Sequence, residues 1–144
     1  MKLNIKRLDK DLPLPKYQTK GSVGFDLTAR EEVIVKPFEV TLIPLNVIAK
    51  VPKGYGFFLF SRSSTPLRKG LIVANSVGVV DSDYNGEEDE IKLSVLNITK
   101  KNVVVEKGER ICQGIILKVE KPEFIEVNKM SQKSRGGFGS TGHK

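Results

Sequence analysis

The chain has 144 residues, a formal net charge of +7 and a single cysteine, and 39% of its residues are hydrophobic. This length suffices for one compact domain with its own core, but not for a second domain of full size. The lone cysteine, Cys112, excludes an intramolecular disulfide and argues against a cysteine-based zinc site. Because no apolar run approaches the length of a membrane span and no secretory signal is recognisable, we expect a cytoplasmic or otherwise intracellular protein without a membrane partner.

The positive charge is unevenly distributed along the chain. Residues 61–80 carry three basic and no acidic groups, and residues 129–144 carry four and none. Residues 81–99, in contrast, carry six acidic groups and one basic group. The basic segments are rich in Pro, Ser and Gly and poor in the aromatic residues that nucleic-acid surfaces interleave with their charges. This pattern favours an anionic small molecule over a nucleic acid as the main ligand.

Hydrophobic periodicity predicts strands along almost the whole chain. The β-branched and aromatic runs that carry this prediction are residues 33–35, 40–43, 46–49, 55–60, 71–74, 91–98, 103–105 and 114–119. Pro and Gly residues separate them at short intervals. Many short strands divided by turn signals indicate an all-β fold, an antiparallel sandwich or barrel.

One short helix is predicted at Thr65–Lys69. Ser63 or Ser64 is the candidate N-cap, Pro66 suits the first turn, and Gly70 suits the position after the last turn. No long amphipathic helix is apparent.

The C-terminal segment differs in kind from the rest of the chain. We divide the sequence into a β domain at 1–128 and a Gly/Ser-rich segment at 129–144. Only Met130 and Phe138 in this segment could bury much apolar area, so composition alone predicts a disordered tail. The alternative is an arm that becomes ordered over a ligand, with Phe138 stacking and Arg135 contacting phosphate.

Carboxylates are the main candidates for acid–base catalysis in this chain. The only histidine, His143, is next to last, which disfavours a histidine-based triad or metal site. Three segments combine residues suited to chemistry. Asp26 lies between apolar neighbours at the start of a strand, Ser61–Thr65 place hydroxyls and a guanidinium before a helix, and Asn75–Gly86 are predicted to form a β-hairpin that presents Asp81 and Tyr84.

Five stretches, in order, resemble the five motifs of the homotrimeric dUTP diphosphatases, or dUTPases. They are residues 24–29 (GFDLTA), 61–64 (SRSS), 78–86 (GVVDSDYNG), 108–114 (GERICQG) and 135–142 (RGGFGSTG). The match extends over nearly the whole chain. Each motif alone is a weak signal, whereas five in register with β-rich spacers are specific.

The resemblance implies a jelly-roll-like subunit with one short helix and a flexible C-terminal arm that closes over an active site. It further implies a homotrimer whose active sites are shared between subunits. The implied reaction is Mg²⁺-dependent attack of water at the α-phosphate of dUTP, giving dUMP and pyrophosphate. This reaction limits incorporation of uracil into DNA and supplies dUMP, and it requires no nucleic-acid partner.

Residue roles follow from motif position. The resemblance implies that Asp81 orients and activates the attacking water, and that Asp26 holds waters of a Mg²⁺ ion bound mainly by the triphosphate. Tyr84 corresponds to the ring that packs on the deoxyribose, and Phe138 to the ring that stacks over uracil. The substrate-binding residues implied by the resemblance are Arg62, Ser63, Ser64, Asn75, Tyr84, Gln113, Arg135 and Phe138.

Three places depart from the family pattern. The family arm usually separates its arginine from its aromatic ring by five positions, but Arg135 precedes Phe138 by three and Lys133 occupies the five-back position. Either cation could contact the γ-phosphate. Glu87–Glu90 contain an insertion of about three residues, which predicts a bulge or a longer turn, solvated rather than metal-binding. Cys112 replaces a small apolar residue and is predicted to be a buried thiol.

Two alternatives remain open from the sequence. A dCTP deaminase, or a bifunctional deaminase-diphosphatase, would share the fold, although Asp81-Ser-Asp-Tyr84 and the Gly-rich arm favour the dUTPase. A regulatory or nucleic-acid-binding module on this fold is supported only by the basic surplus.

Overall fold

The computed structural model describes residues 1–137 and residue 140. Their secondary structure is almost entirely β, with one short helix. The strands are β1 (Asn4–Arg7), β2 (Phe25–Thr28), β3 (Val33–Val35), β4 (Val40–Pro44), β5 (Val47–Lys50), β6 (Tyr55–Ser61), β7 (Leu71–Val73), β8 (Gly78–Val80), β9 (Lys92–Asn97), β10 (Val103–Val105) and β11 (Arg110–Lys118), and the helix α1 spans Ser64–Lys69.

The strands form two larger and two smaller antiparallel sheets. The larger sheets have the strand orders β2-β11-β6-β8 and β4-β9-β7, and the smaller ones pair β1 with β5 and β10 with β3. Strands that follow one another along the chain therefore often lie in different sheets. This is the jelly-roll-like, all-β architecture that the sequence predicted.

The core lies between the two larger sheets. Phe25 of β2, Phe57 of β6 and Leu59 of β6 pack in one cluster with Ile43 of β4 and Leu93 of β9. All five side chains are buried. Alternating inward residues from both sheets thus form a single core, as in other β-sandwiches.

Most strand predictions are confirmed, but the predicted hairpin at Asn75–Gly86 is wrong. β8 pairs with β6, and the next strand along the chain, β9, pairs with β4 and β7. The Asn85-Gly86 turn signal therefore lies in a connection between two sheets, not between two paired strands. Asn85 and Gly86 lie between two turns, closed by hydrogen bonds from the N–H of Tyr84 to the Asp81 carbonyl and from the N–H of Asp89 to the Gly86 carbonyl. The local turn signal could not identify the partner of either flanking strand.

The helix prediction is confirmed at its C-terminal end. Gly70 adopts φ 64° and its N–H donates to the carbonyl of Pro66, which is the left-handed ending that glycine favours. At the other end Ser63 is the N-cap residue, but its hydroxyl makes no capping hydrogen bond. The Ser63 side chain is thus left available for another partner.

Within the described residues, no helix has the length and apolar character needed to cross a membrane.

Candidate active site

Three neighbouring strands bring together residues from separate parts of the sequence. β11 lies between β2 and β6, so Gln113 is paired with Asp26 on one side and with Phe60 on the other. Arg62 follows directly after β6, whose last residue, Ser61, is paired with Cys112. The structure therefore places Asp26, Gln113 and the Arg62 segment at one end of the same sheet.

A β-bulge in β11 determines which side chains face this cluster. The pairing with β2 shifts between Arg110, opposite Thr28, and Cys112, opposite Leu27. Side chains in a regular strand alternate between faces, so positions 110 and 113 would normally point in opposite directions. The extra residue places Arg110 on the same face as Gln113 and Asp26, consistent with the use of bulges to redirect side chains.

Asp26 is a buried carboxylate held between two guanidinium groups. Its side chain is only 4% exposed, and its Oδ1 lies 3.2 Å from Nε of Arg62. Its Oδ2 accepts a hydrogen bond of 3.0 Å from Nη1 of Arg110. Burial of a charge is costly unless it is paired and hydrogen-bonded, and these two arginines provide both.

A shallow cavity of about 190 Å³ adjoins this ion-pair cluster. Its lining comprises Arg62, Ser64, Thr65, Arg68, Lys69, Glu109 and Arg110. Lys69 is paired with Glu109 at 2.8 Å, which leaves an excess of positive charge on the walls. Hydroxyl and guanidinium donors around a cationic cavity suit a phosphate group.

Asp81 lies at a different place, directly after β8. Its exposed side chain lines a cavity of about 600 Å³ together with Tyr55, Phe58, Val80 and Lys121, among others. Such a cavity is large enough for a nucleotide-sized ligand.

Tyr84 follows Asp81 in the same loop. Its hydroxyl donates to the carbonyl of Glu90 at 3.3 Å, and its backbone N–H donates to the carbonyl of Asp81 at 3.2 Å. Tyr84 is 41% exposed, so part of its side chain is accessible to a ligand.

Asn75 occupies the exposed turn that precedes β8. Its carbonyl accepts a 2.7 Å hydrogen bond from the N–H of Val77, and Ser76 adopts φ 64°. Asn75 and Asp81 therefore flank the two ends of one short strand.

The register of β6 separates Asp81 from Arg62 within one chain. Phe57 is paired with Val80 and Leu59 with Gly78, so Asp81 lies beside the first residues of β6 and Arg62 follows its last residue. At about 3.3 Å per residue, these two ends are roughly 20 Å apart. The structure thus divides the predicted site residues into two groups, one around Arg62 and one around Asp81, which are candidates for two partial sites.

The acidic segment Glu87–Glu90 forms a longer turn, as predicted, but Glu90 is not solvated. Its buried carboxylate accepts hydrogen bonds from Nε of Arg30 at 2.8 Å and from the N–H of Asn46 at 2.9 Å. The hydrogen bond from Arg30 to Glu90 raises the pKa of Arg30. Glu90 consequently anchors the loop that carries Asp81 and Tyr84, whereas the exposed Glu87 pairs with Lys6.

The buried thiol prediction for Cys112 is confirmed. Cys112 is fully buried in the core, and burial raises the pKa of its thiol far above the ordinary value. A thiol that stays protonated is a poor nucleophile, so Cys112 contributes packing rather than chemistry.

The C-terminal arm is only partly described. Lys133 and Arg135 are exposed, and neither is brought to the other predicted site residues. Phe138 lies outside the described residues, as does His143.

Arg110 is the site residue that the sequence analysis missed. It stands inside the fourth motif, but its role depends on the bulge at Ile111, for which the sequence gives no periodic signal. In a regular strand, a basic residue three positions before Gln113 would lie on the opposite face of the sheet from Gln113.

Comparison with known proteins places this arrangement in a family. The dUTPase family model matches residues 10–142. A deoxyuridine 5'-triphosphate nucleotidohydrolase of Hydrogenobaculum sp. strain Y04AAS1 is 44% identical over 147 aligned positions that cover 100% of both chains. One from Helicobacter pylori strain Shi470 is 43% identical, covering 99% of this chain and 97% of its own.

Solved structures agree with these sequence matches. The crystal structure of dUTPase from Streptococcus mutans is 35% identical with a TM-score of 0.76, covering 83% of this chain and 98% of its own. A G164S mutant of the Staphylococcus bacteriophage 80alpha dUTPase with dUpNHpp is 25% identical with a TM-score of 0.85, covering 98% of each chain. These relatives support hydrolysis of dUTP over the dCTP deaminase alternative.

Proposed function

Because the chain belongs to the dUTPase family and is an enzyme that hydrolyses dUTP, we propose that its two partial sites combine between subunits around one nucleotide. The observation that carries this proposal is the separation of roughly 20 Å between Asp81 and Arg62 along β6. A triphosphate is much shorter than this distance. One chain therefore supplies Asp81 to a given nucleotide while another supplies Arg62.

Asp81 is the general base in this scheme. Its carboxylate accepts a proton from water while the water oxygen forms a bond to the α-phosphorus and the bond to the bridging oxygen breaks. Pyrophosphate leaves and dUMP remains. A positioned carboxylate contributes about 10²–10⁴-fold to such a step.

The loop and turn on either side of Asp81 suit the nucleoside. The partly exposed ring of Tyr84 packs on the deoxyribose and leaves no space for a 2′-hydroxyl. Asn75 and the backbone that follows it read the uracil edge. The anchoring of this loop by buried Glu90 keeps Tyr84 close to Asp81.

The Arg62 site binds the triphosphate. Arg62, Ser63, Ser64 and Gln113 donate hydrogen bonds to phosphate oxygens, and the unused Ser63 hydroxyl at the N-cap supports this assignment. Preorganised donors around a charged group stabilise the developing charge in the transition state.

A homotrimer is the assembly in which these partial sites meet. Exposed apolar side chains support contact with further copies. Ile34 and Val104 form an exposed cross-strand pair, and Phe124, at 92% exposure, lies in the exposed segment after β11. Apolar groups in such clusters commonly mark subunit interfaces.

The dUTPase family generally depends on a metal ion, and we assign Mg²⁺ to the triphosphate itself. Among residues 1–137 and 140, no cluster of three or more His, Cys, Asp or Glu is positioned to hold a metal. Both oxygens of Asp26 face arginines, but each carboxylate oxygen can accept more than one hydrogen bond, so the role of Asp26 in holding metal-bound water stays a prediction. Phosphate oxygens and water fit Mg²⁺ as ligands, and the bound ion would neutralise phosphate charge.

The arm 129–144 closes over the bound nucleotide. Arg135 or Lys133 contacts the γ-phosphate and Phe138 stacks over uracil. Closure excludes water other than the attacking molecule and completes the site. The reaction limits uracil incorporation into DNA and supplies dUMP, which suits a cytoplasmic or otherwise intracellular location.

Hydrolysis in water enriched in ¹⁸O tests the position of attack. With Mg²⁺ present, the label is expected in dUMP and absent from pyrophosphate, because the water oxygen bonds to the α-phosphorus. Mass spectrometry of both products measures this directly. Label in pyrophosphate would show attack at the β-phosphorus and refute the proposed mechanism.

A further inference from the structure

Asp26 and the two arginines beside it form an arrangement that the proposed roles leave unexplained. Both oxygens of Asp26 contact an arginine, Oδ1 facing Arg62 and Oδ2 accepting a hydrogen bond from Arg110, and a role in holding metal-bound water does not require these contacts. These contacts indicate a role for Asp26 toward the two arginines themselves.

The guanidinium of Arg62 is fixed at two of its nitrogens. Its Nε faces Oδ1 of Asp26 at 3.2 Å, and its Nη1 donates to the backbone carbonyl of Arg110 at 3.0 Å. Because the guanidinium group is planar, two fixed nitrogens determine the direction of the remaining donors. Those donors belong to a side chain that is still 25% exposed and lines the cationic cavity.

Arg110 fixes the other side of the same carboxylate. Its Nη1 holds Oδ2 of Asp26, while its own backbone carbonyl holds Arg62. The bulge in β11 makes both contacts possible, since it turns the Arg110 side chain to the face of Asp26. Asp26, Arg62 and Arg110 thus form a closed ring of contacts.

We propose that Asp26 and Arg110 are positioning residues that orient the Arg62 guanidinium toward the triphosphate. This inference rests on the proposed phosphate-binding role of Arg62. It assigns Asp26 a function in phosphate binding that does not depend on the metal ion. Preorganising a charged donor lowers the cost of ordering it when the ligand binds.

Charge and orientation predict opposite effects of neutralising Asp26 on the affinity for an anionic ligand. Removal of a negative charge next to a cationic cavity should strengthen the binding of an anion. Loss of orientation should weaken it, because Arg62 then has to be ordered by the ligand. The sign of the change therefore distinguishes the two mechanisms.

The test measures binding of dUpNHpp by calorimetry, in EDTA and in Mg²⁺, to the full-length protein and to four variants. These are Asp26→Asn, Arg62→Ala, the double variant and Arg110→Gln, with the exposed Asp11→Asn as a matched control. We expect Asp26→Asn to weaken binding about tenfold or more in both buffers, the scale of one lost charge-assisted hydrogen bond. Asp11→Asn should leave binding unchanged.

The double variant tests whether Asp26 affects nucleotide binding through Arg62. In the Arg62→Ala background, Asp26→Asn should cause little further loss, because residues that act through one another are not additive. Equal losses in both backgrounds, stronger binding, or a loss confined to the Mg²⁺ buffer would each overturn the inference. If Arg62→Ala alone leaves binding unchanged, the proposed role of Arg62 fails instead.

Arg110→Gln keeps the test decisive if Asp26→Asn does not fold. This variant retains the pair between Asp26 and Arg62 and the backbone carbonyl at position 110. We expect a smaller loss of affinity, on the order of threefold to tenfold, again in both buffers. In the Arg62→Ala background Arg110→Gln should cause little further loss. An equal loss in both backgrounds, which the removal of a positive charge alone predicts, or an unchanged affinity would contradict a positioning role for Arg110.

Discussion

Replacement of Asp81 by Asn is expected to lower the turnover of dUTP by about 10²–10⁴-fold while leaving the affinity for dUpNHpp nearly unchanged. The amide has the shape of the carboxylate and preserves hydrogen bonding to water, but it cannot accept the proton that water loses. Single-turnover measurements with saturating dUTP and Mg²⁺ separate this chemical step from binding and product release.

A neighbouring carboxylate provides the control. Asp83 is also exposed and lies two residues along the same loop, so Asp83→Asn makes the same chemical change without touching the proposed base. Its turnover should stay close to that of the unmodified protein. If Asp81→Asn retained full turnover, Asp81 could not be the base that activates water.

Removal of residues 129–144 is expected to lower turnover on the order of 10²-fold, the scale on which loss of positioning groups acts. The truncated protein loses Arg135, Lys133 and Phe138 together with the closure that excludes bulk water. Steady-state kinetics of the truncated and full-length chains measure the effect.

The truncation should leave the fold intact. β11 ends at Lys118, and residues 120–136 are exposed, so the described part of the removed segment contributes little to the core. An unchanged melting temperature and an unchanged number of chains per assembly would verify this. Unchanged kinetics would show that the segment has no role in closure. Separate Arg135→Ala and Lys133→Ala variants then identify the cation that contacts the γ-phosphate, since only one should raise KM substantially.

The strands and the site residues differ in how far the sequence could predict them. β3 and β10 coincide with the predicted runs at 33–35 and 103–105 because short β-branched runs between turns have few alternatives. β1 was missed, since its four residues, Asn-Ile-Lys-Arg, are mostly polar and become a strand only by pairing with β5. The pairing with β5 determines that residues 4–7 form a strand, which their local propensity does not predict.

The errors at the site have the same origin. The segment Asn75–Gly86 was predicted to form a hairpin from its local turn signal, but β8 pairs with β6. Glu90 belonged to an acidic run that is typical of a solvated turn, but Arg30, 60 residues away in sequence, provides a buried partner. Sequence motifs identified Asp81 and Arg62 and could not show that the register of β6 places them at opposite ends.

If the site is shared between subunits as we propose, subunit contact becomes part of catalysis. Within one chain, the proposed base Asp81 and the proposed phosphate-binding residue Arg62 lie at opposite ends of β6. A shared site would also explain how a chain of 144 residues can surround a charged nucleotide with base, sugar and phosphate contacts, because each copy would contribute only some of them to any one site.

Mixing two inactive variants tests this shared site most directly. Asp81→Asn and Arg62→Ala chains are unfolded together in equal amounts, refolded and assayed for hydrolysis of dUTP, with each variant refolded alone as the control. If every site takes Asp81 from one subunit and Arg62 from another, about a quarter of the sites contain both intact residues, and about a quarter of the unmodified activity returns. If both residues came from the same chain, no site would be intact, and a mixture as inactive as its two components would contradict the shared site.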